Sequence, residues 1–401
     1  MKKLLLSLLT LALAVCLCGC SAGKQKISDP VLEPVAIKGI PPGQYSLLND
    51  GRILVRNPET LRGEDYCIFH LNSGKRTPLS LKDPSKWRAT YEEKMRGGYG
   101  ERMPAIPNEM PLIDRLLLSD DLMPWYYGEN YSLCSIGLID CLLDHRTGEL
   151  ICLDMPEDGI VTISPNDELV YTWQEGDLLF IRITDVRGKE LRTAEVDIAG
   201  YDGWGLSALD KSMFLIIYDI SDAGEMSNSA VILLDKQLQV SPAIPLADYE
   251  TFYFYPLQHE QTGRIFVATL YDMLLLDPVS GCNYRFTCVD GEISVSELTD
   301  RGGMLMDGNA PMSEGIQVLG FSPDGSYALI ITSSPGLYKL DMETLELTKQ
   351  MSGTDIEAML KASDEMYELP VPLNIGDWMY TIWDGGEYAI GSRVIFRIRE
   401  R

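Results

Sequence analysis

Histidine is nearly missing from this chain, with three residues in 401, at His70, His145 and His259. They show no ligand spacing, and no H-E-x-x-H pair is present, so a zinc hydrolase site of that kind is excluded. The G-x-S-x-G elbow of serine hydrolases is also absent, and the last strand pattern runs to Arg401, so no hydrolase domain is expected behind it. Positive charge is scarce as well: Lys plus Arg total 34 against 59 acids, a net charge of -25. Such a surface repels phosphate backbones, and nucleic acid is not an expected partner. Neither an EF-hand loop nor a sialidase-type Asp-box occurs, and no metal or cofactor is expected. Beyond the N-terminus, no run reaches the eighteen or so apolar residues of a membrane-spanning helix.

Cysteine is sparse and badly placed for a disulfide framework. Six residues follow the first twenty positions: Cys67, Cys134, Cys141, Cys152, Cys282 and Cys288. On one continuous strand Cys282 and Cys288 would lie about 20 Å apart, beyond bonding reach. Cys141 and Cys152 flank a "DHRTG" hairpin and are the one candidate bridge. Buried free thiols are the default expectation for all six.

What is present begins with "MKKLLLSLLTLALAVCLCGCSAGKQK", two lysines, an apolar run of about fourteen residues and then small residues, the layout of a secretory signal. The segment Leu17-Cys18-Gly19-Cys20 resembles the lipobox of bacterial lipoproteins, with Cys18 where Ala or Ser is more usual. The resemblance implies removal of residues 1–19 as a signal peptide and attachment of diacylglycerol to Cys20. Buried acyl chains would anchor the protein by about 0.8 kcal/mol per CH₂. Polar residues 20–34 then read as a tether and residues 35–401 as the body, at the cell membrane on its extracytoplasmic side.

The body repeats itself. In "GFSPDGSYALIIT" (Gly320 to Thr332) and "TISPNDELVYTW" (Thr162 to Trp173), Ser-Pro and a following acid interrupt an aliphatic stretch. Proline presets φ for the first turn position and Asn, Asp or Gly suit those after it, so each is a hairpin turn between strands. A second signal follows, a strand ending in Asn or Asp before a polar turn, at Asn72, Asp144, Asp185, Asp235, Asp277 and Asp341. Several spacings fall near 40 to 50 residues, the period of a four-stranded propeller blade. "DWMYTIWDGGEYAIGSRVIFRIRER" supplies a further unit at the C-terminus. The expected fold is an all-β β-propeller of seven blades, with six or eight left open, and residues Ile37 to Leu48 are expected to lend a strand to the last blade. The Ser-Pro-Asp-Gly turn and its aliphatic strand resemble the WD-like repeats of TolB-type bacterial propellers, although the Trp-Asp ending of eukaryotic WD repeats is absent.

Two segments depart from the repeat. Residues 82–111 form an insertion in which Asp83, Pro84, Trp87, Tyr91 and Met95 predict a short helix with one apolar stripe, ahead of a strand "IDRLLLS". In the second, Thr354 and Glu357 read as a capping box for a helix over 354–367. Aromatics beside glycines and acids are the remaining lead, because a flat apolar face with a polar tip suits a sugar or peptide site on a rim. The candidates are Trp87, Tyr91, Trp125, Tyr126, Tyr127, Trp204 and Trp383, each also able to serve as blade-to-blade packing. No catalytic residues can be assigned. These features point to a lipid-anchored binding or scaffold module at the bacterial envelope, with the membrane and an envelope protein or glycan as partners. The alternative is an extracytoplasmic carbohydrate-active enzyme whose carboxylates come from different blades and line the tunnel.

Overall fold

The Ser-Pro turns close through the same serine. Ser322 N donates to Tyr327 O (2.9 Å), and Ser322 Oγ accepts from Tyr327 N (3.1 Å). Ser164 does the same with Glu168, donating from N (2.9 Å) and accepting at Oγ (3.1 Å). Gly325 takes the left-handed position in one turn (φ +65°) and Asp167 in the other (φ +61°). The Asp markers have an equally local cause. Oδ1 of Asp185 accepts from Arg187 N and Lys189 N, both at 2.9 Å, and that of Asp235 from Gln237 N and Gln239 N, both at 2.8 Å. Asp144, Asp277 and Asp341 bond their own turns in the same way. An Asx turn that begins reversal after the third strand is what the sequence repeat records.

The computed structural model describes residues 30–96, 110–119, 121–155, 159–220, 226–245, 256–268, 272–298, 315–367, 369 and 372–400. The signal segment, Cys20, the tether before Pro30 and residues 97–109 of the insertion lie outside the described residues. The strands form seven sheets, and the chain is an all-β propeller of seven blades. Blade 1 comprises Gln44–Leu47, Arg52–Arg56, Cys67–His70 and Arg76–Pro78; blade 2 comprises Met123–Tyr127, Tyr131–Ile136, Ile139–Asp144 and Glu149–Cys152. Blade 3 comprises Ile160–Ile163, Leu169–Glu175, Leu178–Thr184 and Glu190–Asp197; blade 4 comprises Gly203–Ala208, Ser212–Ile220, Met226–Asp235 and Ile244–Pro245. Blade 5 comprises Leu257–Gln258, Ile265–Ala268, Met273–Leu276 and Asn283–Val289; blade 6 comprises Ile316–Phe321, Tyr327–Thr332, Gly336–Asp341 and Leu347–Met351. Blades 2 and 5 each carry a fifth outer strand, Ser80–Lys82 paired parallel and Glu292–Leu298 paired antiparallel.

Both ends of the chain build blade 7. Ile382–Trp383, Tyr388–Ile390 and Ile395–Glu400 supply three strands, and Pro30–Pro34 pairs antiparallel with the last of them, from Pro30 opposite Glu400 to Pro34 opposite Phe396. The closing strand is therefore residues 30–34, read from sequence as the end of the tether, and not the segment from Ile37 to Leu48. Gln44–Leu47 opens blade 1 instead. The reason is burial: Leu32 is 2% exposed and packs with Leu337, Met351 and Phe396.

Apolar clusters lie between blades. Leu133 and Leu142 of blade 2 meet Val161, Ile163 and Leu169 of blade 3, and Phe266 and Phe286 of blade 5 meet Ile330 and Leu340 of blade 6. A blade is coated on both faces, so its burial, at about 25 cal/mol per Å² of apolar surface, requires both neighbours.

Strands alternate in direction, which sorts the connections onto two rims. First-to-second and third-to-fourth turns share one, here the turn rim. Second-to-third turns and crossings between blades share the other, and every described helix lies there: α1 (Pro84–Arg96), α2 (Leu112–Ser119), α3 (Gly353–Tyr367) and α4 (Ile375–Met379). "IDRLLLS" is thus helix α2 rather than a strand, because Leu116 and Leu117 form one stripe that packs over blades 1 and 2. The cap of α3 is Ser352 with Asp355, not Thr354 with Glu357. Ser352 N donates to Asp355 Oδ2 (2.9 Å) and Asp355 N to Ser352 Oγ (3.3 Å), the reciprocal pair of a capping box.

Candidate functional site

The first-to-second turns of successive blades touch one another around the turn rim. Asn49 Nδ2 of blade 1 donates to Gly128 O (2.6 Å), Glu129 N of blade 2 to Pro165 O (2.9 Å), and Asn166 Nδ2 of blade 3 to Asp210 O (3.4 Å). Lys211 N of blade 4 donates to Gln258 Oε1 (2.9 Å) of blade 5. Gly325 of blade 6 lies so close to Gln261 that a Cβ would come within 2.0 Å of its side chain, and a Cβ on Gly385 of blade 7 would sit 2.9 Å from Phe321 O. The ring of turns encircles one mouth of the central channel.

Each turn in that ring contributes a carboxylate: Asp50, Glu129, Asp167, Asp210, Glu260, Asp324 and Asp384. Some serve the turns themselves. Asp167 accepts from Asn130 N (2.9 Å) and Tyr131 N (3.1 Å) across the blade boundary. Asp324 resists protonation: partial desolvation works against its charge, but bonds from Ser326 N and Ser322 Oγ outweigh it and hold the carboxyl below its usual range. Asp384 behaves oppositely. Its side chain is open to solvent, yet the surrounding protein desolvates the charge and Asp50 adds repulsion, so its carboxyl is raised. Arg52 pairs with Asp50 (2.9 Å), and Lys211 adds positive charge, leaving this mouth predominantly negative.

The innermost strands have a different character toward the helix rim. Met123, Trp125, Ile160, Leu257 and Ile382 are all large, apolar and exposed, and all lie on first strands, at or near the ends where those strands leave the helix rim. The channel is therefore graded, with apolar side chains toward the helix rim and carboxylates at the turn rim. Among the described residues, no group of three or more His, Cys, Asp or Glu side chains is arranged to hold a metal ion.

The aromatic candidates separate by burial. Trp87 is fully buried, its Nε1 donating to Leu150 O (3.2 Å), and Tyr91 is 3% exposed with its hydroxyl on Ser119 Oγ (2.9 Å). Trp383 is also buried, donating to Gly386 O (2.7 Å) and stacking on Tyr327. These three hold blades and insertion together and offer nothing to a ligand at the surface. Tyr126 and Tyr127 are half-buried beside the packing of blade 2. Trp204 is half-buried too, with Nε1 bonded to Gln174 Oε1 (3.1 Å). Trp125 alone of the seven is 49% exposed, its Nε1 held by Ser135 Oγ (3.1 Å). Trp125 lies on the first strand of blade 2 and Trp204 on that of blade 4, with blade 3 between them.

Sequence reading missed one aromatic ladder. The Arg182 guanidinium lies over Tyr171 (5.1 Å) and Trp173 (5.6 Å), while Trp173 stacks on Phe180 at 5.5 Å. Its signal is period-two alternation across one hairpin, Tyr171 and Trp173 facing Arg182 and Phe180 in register.

Comparison with known proteins gives a fold likeness and no family. No protein-family model and no curated protein matches the sequence. Solved structures do resemble it. The Dos1 propeller aligns over 92% of this chain and 95% of its own, at 10% identity and a TM-score of 0.46. The dihydro-heme d1 dehydrogenase NirN, in complex with DHE, aligns over 76% of this chain at 14% identity and a TM-score of 0.38. A prolyl endopeptidase aligns over 78% at 12% identity and 0.38. The chain spans about half the length of the latter two, 56% and 50%. The assignment to the propeller class stands on the strand pairing described above.

Proposed function

We propose that the protein is a lipid-anchored binding or scaffold module on the extracytoplasmic side of a bacterial cell membrane, presenting its helix rim and channel to an envelope protein or glycan. The β-propeller fold supports a binding role in general. The observation that carries the orientation is the register of the closing strand. Because Pro30 lies opposite Glu400, the chain enters blade 7 at the turn rim, and all described helices lie on the opposite rim. A lipid on Cys20 is ten residues away, so the tether reaches at most about 35 Å and joins the body at the turn-rim end of blade 7, which we take as the membrane-proximal side. The TolB-type resemblance of the Ser-Pro-Asp-Gly repeat agrees with such a role.

Burial decides the design of the test. Replacing the whole insertion would remove Trp87 and Tyr91 from the core, so the informative variant exchanges only residues 97–109 for a short Gly-Ser linker. Affinity capture from solubilised envelope is expected to retain a partner with the parent protein and lose it with this variant. Equal capture by both, or by neither, contradicts the proposed role of the helix rim. Separately, Cys20→Ser is expected to abolish incorporation of labelled fatty acid and release the protein from the membrane fraction. A variant that keeps its label and stays membrane-bound refutes the anchor.

A further inference from the structure

Blade 2 places three thiols in one transverse row. Cys134 lies opposite Cys141 across the second and third strands, and Cys141 opposite Cys152 across the third and fourth. Directly opposed residues share a sheet face, and all three sit in the cluster beneath α1 with Trp87 and Tyr91. All are free thiols and buried.

The two pairs are not equivalent. Antiparallel pairing alternates hydrogen-bonded pairs, with Cα atoms about 5.5 Å apart, and non-hydrogen-bonded pairs, about 4.5 Å apart with their side chains closer. Leu153 N donates to Asp140 O (3.1 Å), which makes the next pair inward, Cys141 and Cys152, non-hydrogen-bonded. His145 N donates to Asn130 O (2.9 Å), and four steps along the same register Cys134 and Cys141 come out as a hydrogen-bonded pair. Gly137 and Leu138, both at positive φ, form the two-residue turn that closes this hairpin in that phase. Disulfides need Cα atoms within roughly 4.4–6.8 Å and Cβ atoms about 3.8 Å apart, and the non-hydrogen-bonded pair brings the Cβ atoms nearer.

We propose that Cys141 and Cys152 are a disulfide site, and that Cys134 stays reduced beside them. The co-reactant is a small-molecule or protein disulfide. One protein thiolate attacks it, forming a mixed disulfide and expelling a thiolate. The second protein thiolate then displaces the remaining half. Two S–H bonds are lost and one S–S bond forms, while the oxidant leaves as two thiols. Exchange precedes packing of α1, since both sulfurs are shielded once Lys86 bonds Cys152 O (3.1 Å) and Trp87 bonds Leu150 O. The bond would pin the edge on which the insertion rests. An extracytoplasmic address would supply the oxidant, but the pairing itself rests on register alone.

The test is oxidative refolding of the full chain in a mixture of reduced and oxidised glutathione, followed by alkylation and non-reducing peptide mapping. The expected product joins the peptides of Cys141 and Cys152 and is two hydrogens lighter than their sum, with Cys134 alkylated. Cys134→Ser is expected to leave that product unchanged, and Cys152→Ser to remove it. Complete alkylation of Cys141 and Cys152, or a bond from Cys141 to Cys134, overturns the proposal. The same map on protein recovered from cells separates the two readings: a bridge formed in the refolding mixture but absent in cells counts against export, not against the site.

Discussion

His145 shows how burial makes a titratable residue structural. It is fully buried, with Nε2 2.7 Å from Ser132 Oγ, and burial first, then the Arg52 charge, pushes its pKa down to about 4. The folded state therefore holds it neutral while the unfolded chain would protonate it near pH 6.5. Its contribution is intact above pH 6.5 and is lost as pH falls toward 4, by about 3 kcal/mol in all. Denaturant midpoints measured from pH 7 to 5 are expected to decline, with a shallower slope for His145→Gln. Gly320, on the strand just before the Ser-Pro-Asp-Gly turn, has a different constraint: a Cβ there would lie 1.9 Å from Trp383 O of blade 7. Gly320→Ala is expected to lose several kcal/mol of stability or fail to fold, as read by soluble yield and thermal midpoint. The turn was legible, but the reason for the glycine that precedes it was not, since Trp383 is far away in sequence.

At the scale of elements, α1 was legible because Pro84, Trp87 and Tyr91 obey helical spacing. What the stripe faces was not. Trp87→Ala is expected to cost about 3–5 kcal/mol in denaturant unfolding, and the change should appear in stability even where no partner is present. A Trp87→Ala protein of unchanged stability that loses only a binding partner would restore that residue to the rim. The Asx turns make a smaller contribution each. Asp235→Ala removes two backbone bonds to one carboxylate oxygen and is expected to cost about 1–3 kcal/mol, with hydrogen exchange accelerating at Gln237 and Gln239.

The whole molecule depends on ring closure. Leu32 carries the N-terminal strand into a core shared by blades 6 and 7 and α3. Leu32→Asp buries an unpaired charge there and is expected to lower the unfolding free energy by several kcal/mol, read in denaturant unfolding. Hydrogen exchange should quicken first along Ile395–Glu400 while the distant turn at Ser164–Glu168 stays protected. Exchange that quickens equally everywhere would mean that closure is not a separable step. The graded channel also belongs to this scale, because its acids and apolar residues come one or two from each blade and acquire meaning only when the ring brings them together.

The sequence by itself determined the propeller class, through information that is local: a serine closing each Ser-Pro turn, an Asp at the end of the third strand of blades 2 to 6, alternation between them, and a period that repeats both. It also determined where helices interrupt the ring, although not the identity of α2 or the cap of α3. Only the tertiary structure decided that residues 30–34 close the ring, which aromatics are buried, and that Cys134, Cys141 and Cys152 stand in one row across blade 2. Those outcomes depend on pairing and packing between residues up to several hundred positions apart, and no local pattern encodes which surface a neighbouring blade will cover.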